Sequence, residues 1–242
     1  MKTVLITGAS GGIGRETAIR FADAGYTVGI GCRNIGAGKE TANAVKNAGG
    51  QAVLLAADLR DGRQVANAAN EFRKSVGVPD ILVCCAGVAY QNLFQLTSEE
   101  DYDRIMDSNV RSAYLITKEF LGDMINRKSG SIIYVSSMWG EVGGSCEVIY
   151  SASKAALIGM TRALAKEVGP SGIRVNCVSP GVIITAMTEN LGAETLSGLA
   201  EDTPLGRNGL PSDVAESIFW LASDAASFIT GQVLGINGGT VI

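Results

Sequence analysis

The sequence predicts an α/β fold: a doubly wound parallel sheet of about seven strands with helices on both faces. Three observations predict it. Short apolar runs recur near residues 2–7, 27–32, 52–56, 80–85, 131–136, 173–178 and 232–236. Helical patterns lie between them, and strands that alternate with helices form parallel sheets with right-handed crossovers. The first run, Val4-Leu5-Ile6, passes directly into a glycine-rich turn and then a helical pattern.

That turn reads Thr7-Gly8-Ala9-Ser10-Gly11-Gly12-Ile13-Gly14, and an amphipathic segment from Arg15 to Gly25 follows it. A strand, a tight glycine turn and a helix N-terminus in that order make a pyrophosphate site. Backbone without side chains lets phosphates approach the helix amides and the positive end of the dipole. Gly8, Ser10, Gly11, Gly12, Ile13 and Gly14 are the candidate contacts of a Rossmann-type site. Their spacing is Gly-x-x-x-Gly-x-Gly and differs from the usual Gly-x-Gly-x-x-Gly.

Ligands in such sheets bind beyond the carboxyl ends of the strands. The second run ends in Cys32-Arg33-Asn34, with no acid to hold an adenosine ribose diol. A guanidinium can pair with a 2′-phosphate, so Arg33 points to NADPH/NADP+ over NADH. The third run is followed by Asp58-Leu59; an aspartate there could instead cap a helix beginning near Asp61. The fourth ends in Cys84-Cys85-Ala86-Gly87, the fifth in Ser136-Ser137, and the sixth in Pro180-Gly181-Val182-Ile183-Ile184-Thr185.

Tyr150 and Lys154 stand four residues apart, which on a helix puts a phenol and an ammonium on one face about one turn apart. A phenol normally ionises near pH 10. A fixed cation beside it favours the phenolate and makes the tyrosine a usable proton donor to a carbonyl oxygen. The bland alternative is a packed aromatic beside a solvated lysine.

Taken together, Thr7-Gly8-Ala-Ser-Gly-Gly12-Ile-Gly14, Asn109 in Asp-Ser-Asn-Val, Ser137 thirteen residues before Tyr150, Lys154, and Pro180-Gly181 with Thr185 carry a resemblance. From end to end the chain resembles the short-chain dehydrogenase/reductases, and within them the 3-oxoacyl-(acyl-carrier-protein) reductases. The resemblance implies one dinucleotide-binding domain over 1–242 that reduces a ketone to a secondary alcohol by hydride transfer from NADPH. It implies catalytic roles for Asn109, Ser137, Tyr150 and Lys154: Tyr150 as acid, Ser137 bonding the carbonyl, Lys154 holding the nicotinamide ribose, Asn109 positioning a water linked to Lys154. It further implies cofactor contacts from Asp58 and Leu59 at the adenine, from Cys85, Ala86 and Gly87 at the nicotinamide ribose, and from Pro180, Gly181, Ile183 and Thr185 at the carboxamide.

Two departures bear on this. Cys84-Cys85 stand where the family usually carries Asn-Asn, and cysteine gives up the amide's donor and acceptor. Family members also use basic residues beside the cleft to dock an acidic carrier; Lys128 suits that role, but Ser171 precedes Gly172 where a second cation is expected. The segment between Ser137 and Tyr150 carries Trp139, Glu141, Cys146 and Glu147 near the expected cleft. It is also similar to a bacterial branch that reduces a 5-aminopentanone group on a lysine of elongation factor P, and a cationic substrate would suit those acids. The expected substrate is thus a ketone on acyl carrier protein, coenzyme A or a protein lysine. A non-catalytic NADP-binding regulator is the alternative of another class.

Composition bounds the rest. At 242 residues the chain can bury a substantial core, and a net charge of -4 argues against nucleic acid. Five cysteines without zinc spacing and no histidine leave metal catalysis unsupported and suggest reduced thiols in the cytoplasm. No apolar run is long enough for a membrane span. Long helical patterns over 99–126 and 151–168, with the last strand, suggest the family's usual homotetramer. Residues 186–200 look like a lid over cofactor and substrate.

Overall fold

The computed structural model describes residues 2–188 and 191–242. Strands β1 (Thr3–Thr7), β2 (Thr27–Cys32), β3 (Gln51–Ala56), β4 (Ile81–Cys84), β5 (Gly130–Val135), β6 (Ile173–Pro180) and β7 (Val233–Ile236) form one sheet in the order β3-β2-β1-β4-β5-β6-β7. Every pairing is parallel. The chain winds outward from β1 to β3, then returns to the middle to begin β4. A crevice therefore opens beyond the carboxyl ends of β1 and β4, where the winding reverses.

β1 and β2 are buried along their whole length, which is why they read as unbroken apolar runs. Alternate residues face opposite sides of the sheet. Leu5, Leu82, Ile132, Tyr134 and Val175 pack against α3 (Gly62–Val76), α5 (Ser112–Arg127) and α7 (Val148–Val168). Val4, Ile6, Val28, Ile30, Ile133 and Val178 pack against α1 (Gly12–Asp23), α2 (Ile35–Asn47) and α9 (Pro211–Ala222). Edge-to-face rings join helices on each side, Phe72 to Phe120 at 5.9 Å and Phe21 to Phe219 at 5.1 Å. Each fully buried large side chain contributes about 1.5–3 kcal/mol, so two such layers hold the strand ends in fixed positions.

Local chemistry sets the helix ends. Asn34 caps α2 by accepting from Ala37 N–H, and Asp61 caps α3 by accepting from Arg63 and Gln64 N–H. Asp61, and not Asp58, is therefore the cap of the third helix. Ser98 caps α4 (Glu99–Met106), whose first turn carries three acids that complement the dipole. Short helices α6 (Met138–Val142) and α8 (Ala193–Glu201) complete the set.

The helical pattern expected over 99–126 is interrupted. Between α4 and α5, Asp107–Arg111 form a π turn: Ser112 N–H donates to Asp107 O, and the Ser112 hydroxyl donates to Ser108 O at 2.6 Å. Apolar periodicity does not register one extra residue in a turn. The buried residue at its centre is Asn109.

Candidate active site

The glycine turn lies against the end of β4. Gly8 adopts φ +67, and a Cβ there would stand 2.7 Å from Ala86 Cα. Thr7 Oγ1 accepts from the Cys85 and Ala86 amides at 3.1 and 3.2 Å, bolting the two strand ends together. Gly11 is the N-cap of α1 and offers no side-chain cap, so the first amides of that helix have no side-chain partner. No acid sits in the first turn. A backbone-floored cradle at a positive helix end, free of carboxylates, fits a pyrophosphate. Ser10 and Ile13 flank it, Gly14 packs onto the Gly8 carbonyl, and Gly12 faces the Thr185 methyl.

Beyond the carboxyl ends of β2 and β3, Arg33 is exposed just after β2. Asp58 is held in a bidentate pair by Arg60, at 2.9 Å from Nε to Oδ1 and 2.6 Å from Nη2 to Oδ2. This hydrogen bonding carries the Asp58 carboxyl down to about 2 against the cost of burial, and the Arg33 charge lowers it further. Arg33 and Asp58 thus share one corner. Leu59 is buried in the core, so only its backbone is available to a ligand.

The structure brings Asn109, Ser137, Tyr150 and Lys154 to the carboxyl ends of β4 and β5 and the start of α7. Lys154 is 5% exposed, and its Nζ donates to Val135 O at 3.0 Å. It stands 5.6 Å from the centroid of the half-buried Tyr150 ring. Lys154 makes no ion pair among the described residues, and an ammonium buried without one is costly. Its own carbonyl accepts the Ser136 hydroxyl at 2.8 Å. Ser137 is 8% exposed and caps α6, accepting from Trp139 N–H at 3.2 Å.

Asn109 is fully buried. Its Oδ1 accepts from Val88 N–H at 2.7 Å, while Nδ2 donates to Val88 O at 3.0 Å and to Ser153 Oγ at 2.9 Å. Both side-chain N–H donors are thus spent on Val88 and Ser153. Gly87 lies between these groups: a Cβ there would meet Asn109 Oδ1 at 3.0 Å and Lys154 Nζ at 3.3 Å. The absence of a side chain at Gly87 is what leaves the ammonium room.

In place of the family's amides, Cys84 Sγ lies 3.8 Å from Thr117 Oγ1, which pairs with Tyr134 Oη at 2.9 Å. Burial pushes the Cys84 and Cys85 thiols up to about 12 and about 11, so both are neutral near pH 7. Across the crevice, Pro180 ends β6, Gly181 N–H donates to Ile236 O at 3.0 Å, and the buried Ile183 bridges to Gly209. Thr185 N–H donates to Thr188 Oγ1 at 3.0 Å; its hydroxyl has no partner among the described residues.

Around the mouth, Glu141 is exposed, and Glu147 is half-buried with its carboxyl pushed up by burial against a hydrogen bond from Trp139. The Cys146 carbonyl accepts from Asn92 N–H at 2.7 Å, joining this segment to the exposed Leu93 and Phe94. Of the expected lid, Glu189 and Asn190 lie outside the described residues, and Ala193–Glu201 are helical. Lys128 departs from expectation. It ends α5 with φ 55 and lies, with Ser171, at the amino ends of β5 and β6, away from the crevice of its own chain.

Sequence reasoning missed Thr7, Arg60, Val88 and Ser153 as structural partners of the site. Thr7 and Ser153 lay inside motifs it used, but their bonds cross 78 and 44 residues of chain. Among the described residues no helix is long and apolar enough to cross a membrane, and no group of His, Cys, Asp or Glu could hold a metal ion.

Comparison with known proteins agrees with this geometry. A family model described as enoyl-(acyl carrier protein) reductase matches residues 8–241. The chain is 39% identical to a 3-oxoacyl-[acyl-carrier-protein] reductase, FabG, of Thermotoga maritima, over 100% of this chain and 98% of that protein. It is 38% identical to the uncharacterized oxidoreductase YmfI of Bacillus subtilis, over 98% of each. A crystal structure of a Brucella melitensis 3-oxoacyl-[acyl-carrier protein] reductase superposes with a TM-score of 0.95 at 32% identity, covering 100% of this chain and 92% of that one. With its seven-stranded parallel sheet and this arrangement of tyrosine, lysine and glycine turn, the chain belongs to the short-chain dehydrogenase/reductase family, oxidoreductases that bind a nicotinamide cofactor and act on CH–OH and C=O groups.

Proposed function

We propose that the protein reduces 3-oxoacyl thioesters to 3-hydroxyacyl thioesters with NADPH, as a single catalytic domain. One observation carries the reading: a buried lysine without a counter-ion beside the half-buried Tyr150, in the space that Gly87 leaves open. When bound, NADPH supplies the hydride. The phenol of Tyr150 donates a proton to the carbonyl oxygen, and Ser137 Oγ bonds the same oxygen. The Lys154 ammonium favours the phenolate left behind and would hold the nicotinamide ribose. The Asn109 amide keeps the Gly87–Val88 backbone in place beneath them. Arg33 takes the 2′-phosphate; its exposure and the lack of an acid after β2 support NADPH.

Tyr150→Phe tests the acid. NADPH affinity stays within about twofold, and turnover falls about 10²- to 10⁴-fold, the usual worth of general acid catalysis. Near-normal turnover in this variant excludes Tyr150 as the acid. The substrate is tested by following NADPH absorbance with acetoacetyl thioesters, an enoyl thioester and aminopentanone-modified elongation factor P side by side. Oxidation of NADPH by the 3-oxoacyl thioester is expected. Reaction of the enoyl thioester alone would favour C=C reduction, the activity in the family model's description.

A second reading rests on Glu147. Its half-buried carboxyl beside Trp139 supplies an acceptor for a cationic amine, as a 5-aminopentanone on elongation factor P would present. Turnover of the modified protein without turnover of the thioester would favour it. Tight NADPH binding with no ketone turned over would instead favour a regulator. For assembly, the exposed Tyr102 and Tyr114 on α4 and α5 support a homotetramer, which sedimentation tests directly.

A further inference from the structure

Ser153 has no role in the chemistry described so far, yet it is fully buried and its hydroxyl both donates and accepts at the centre of the site. Its Oγ donates to Tyr150 O at 2.7 Å and accepts from Asn109 Nδ2 at 2.9 Å. The first bond runs back three residues within α7, so it fixes the hydroxyl to the turn that carries the phenol. The second ties that turn to an amide already clamped on both polar atoms of Val88. Val88 follows Gly87, over which Lys154 Nζ lies. One hydroxyl therefore joins three segments, 87–88, 107–111 and 150–154, that are far apart in the chain.

We propose that Ser153 is a positioning residue. It sets the height of the first turns of α7, and with them Tyr150 and Lys154, against the Gly87–Val88 backbone. The inference rests on the catalytic reading above. No other hydrogen bond joins the Asn109 side chain to α7. Without the hydroxyl, one Asn109 N–H is left buried and unpaired, and the amide must either bear that cost or turn away from Val88. Movement of about 1 Å at a reacting group lowers rates by as much as about 10²-fold.

The test compares Ser153→Ala with Ser153→Thr, whose hydroxyl can make the same bond back along a helix. For each, kcat and KM with an acetoacetyl thioester, the pH profile of kcat/KM, NADPH affinity by fluorescence titration and Tm are measured. Ser153→Ala is expected to lower kcat about 10- to 100-fold, displace the pH limb assigned to Tyr150 and weaken NADPH at least about threefold. KM for the ketone moves less than about threefold. Ser153→Thr restores most of each effect. Unchanged kcat, pH profile and NADPH affinity in a folded Ser153→Ala overturn the proposal, as does a loss confined to Tm. If the unaltered protein turns over no ketone, the catalytic reading fails alone, and NADPH affinity in the two variants still decides whether Ser153 positions Lys154.

Discussion

The two ends of the crevice are built on different physics. At the end beyond β2 and β3, Arg33 is exposed, and the Asp58 and Arg60 side chains are 24% and 37% exposed. At the other, Asn109 and Ser153 are fully buried and Lys154 and Ser137 nearly so. Charges in water are screened and recognise a partner one residue at a time. Buried polar groups hold their places only when every bond is made, so they act as a unit. If the proposed roles hold, cofactor choice is adjustable by single exchanges at the exposed end, whereas the buried end tolerates almost none.

The sharpest way to break this contrast is Gly87→Ala. A methyl 3.0 Å from Asn109 Oδ1 and 3.3 Å from Lys154 Nζ pushes both aside. We expect kcat to fall about 10²-fold or more with Tm little changed; a steady-state assay that finds normal kcat would show the buried end to be adaptable. Next in size, Arg33→Ala is expected to shift the ratio of KM values for NADPH and NADH about tenfold or more toward NADH, with kcat retained. An unchanged ratio would remove Arg33 from cofactor selection. Alkylation probes the neutral thiols. With values of about 12 and about 11, Cys84 and Cys85 remain unmodified by iodoacetamide at pH 8, since roughly one Cys85 in a thousand is thiolate; peptide mass mapping reads this.

The smallest effect is at the Asp58–Arg60 pair. Its folded-state value of about 2 lies below the ordinary 3.8, so the pair stabilises the fold above about pH 4. That contribution fades as pH falls toward 2. Arg60→Ala should lower stability at pH 7 by less than about 1 kcal/mol, given the pair's exposure, and the difference from the unaltered protein should vanish by about pH 2. Urea titrations across that range check it. A difference that persists at pH 2 would assign the loss to packing.

Most of the fold was legible because parallel strands buried on both faces are continuous apolar words, and all seven strands fall within two residues of their expected ends. The glycine turn, Tyr150 and Lys154 were legible because their spacing is local. What escaped was non-local or non-periodic. The bonds from Thr7 to the Cys85 and Ala86 amides and from Asn109 to Ser153 join residues that no window of sequence contains. Asp58 read either as an adenine contact or as a cap for a helix beginning near Asp61; Asp61 itself is the cap, and Asp58 pairs with Arg60. Lys128 was placed beside the cleft by resemblance, but a residue preceding a parallel strand lies at the sheet's opposite end.

The π turn over 107–111 amounts to one residue spliced into an otherwise regular helix. Excising a residue there would let the coil close into a regular α-helix, with α4 and α5 still in register, and would carry the Asn109 amide off Val88. Along this stretch the number of residues binds more strictly than their kind: a single-codon deletion between α4 and α5 is expected to abolish turnover while leaving the sheet intact.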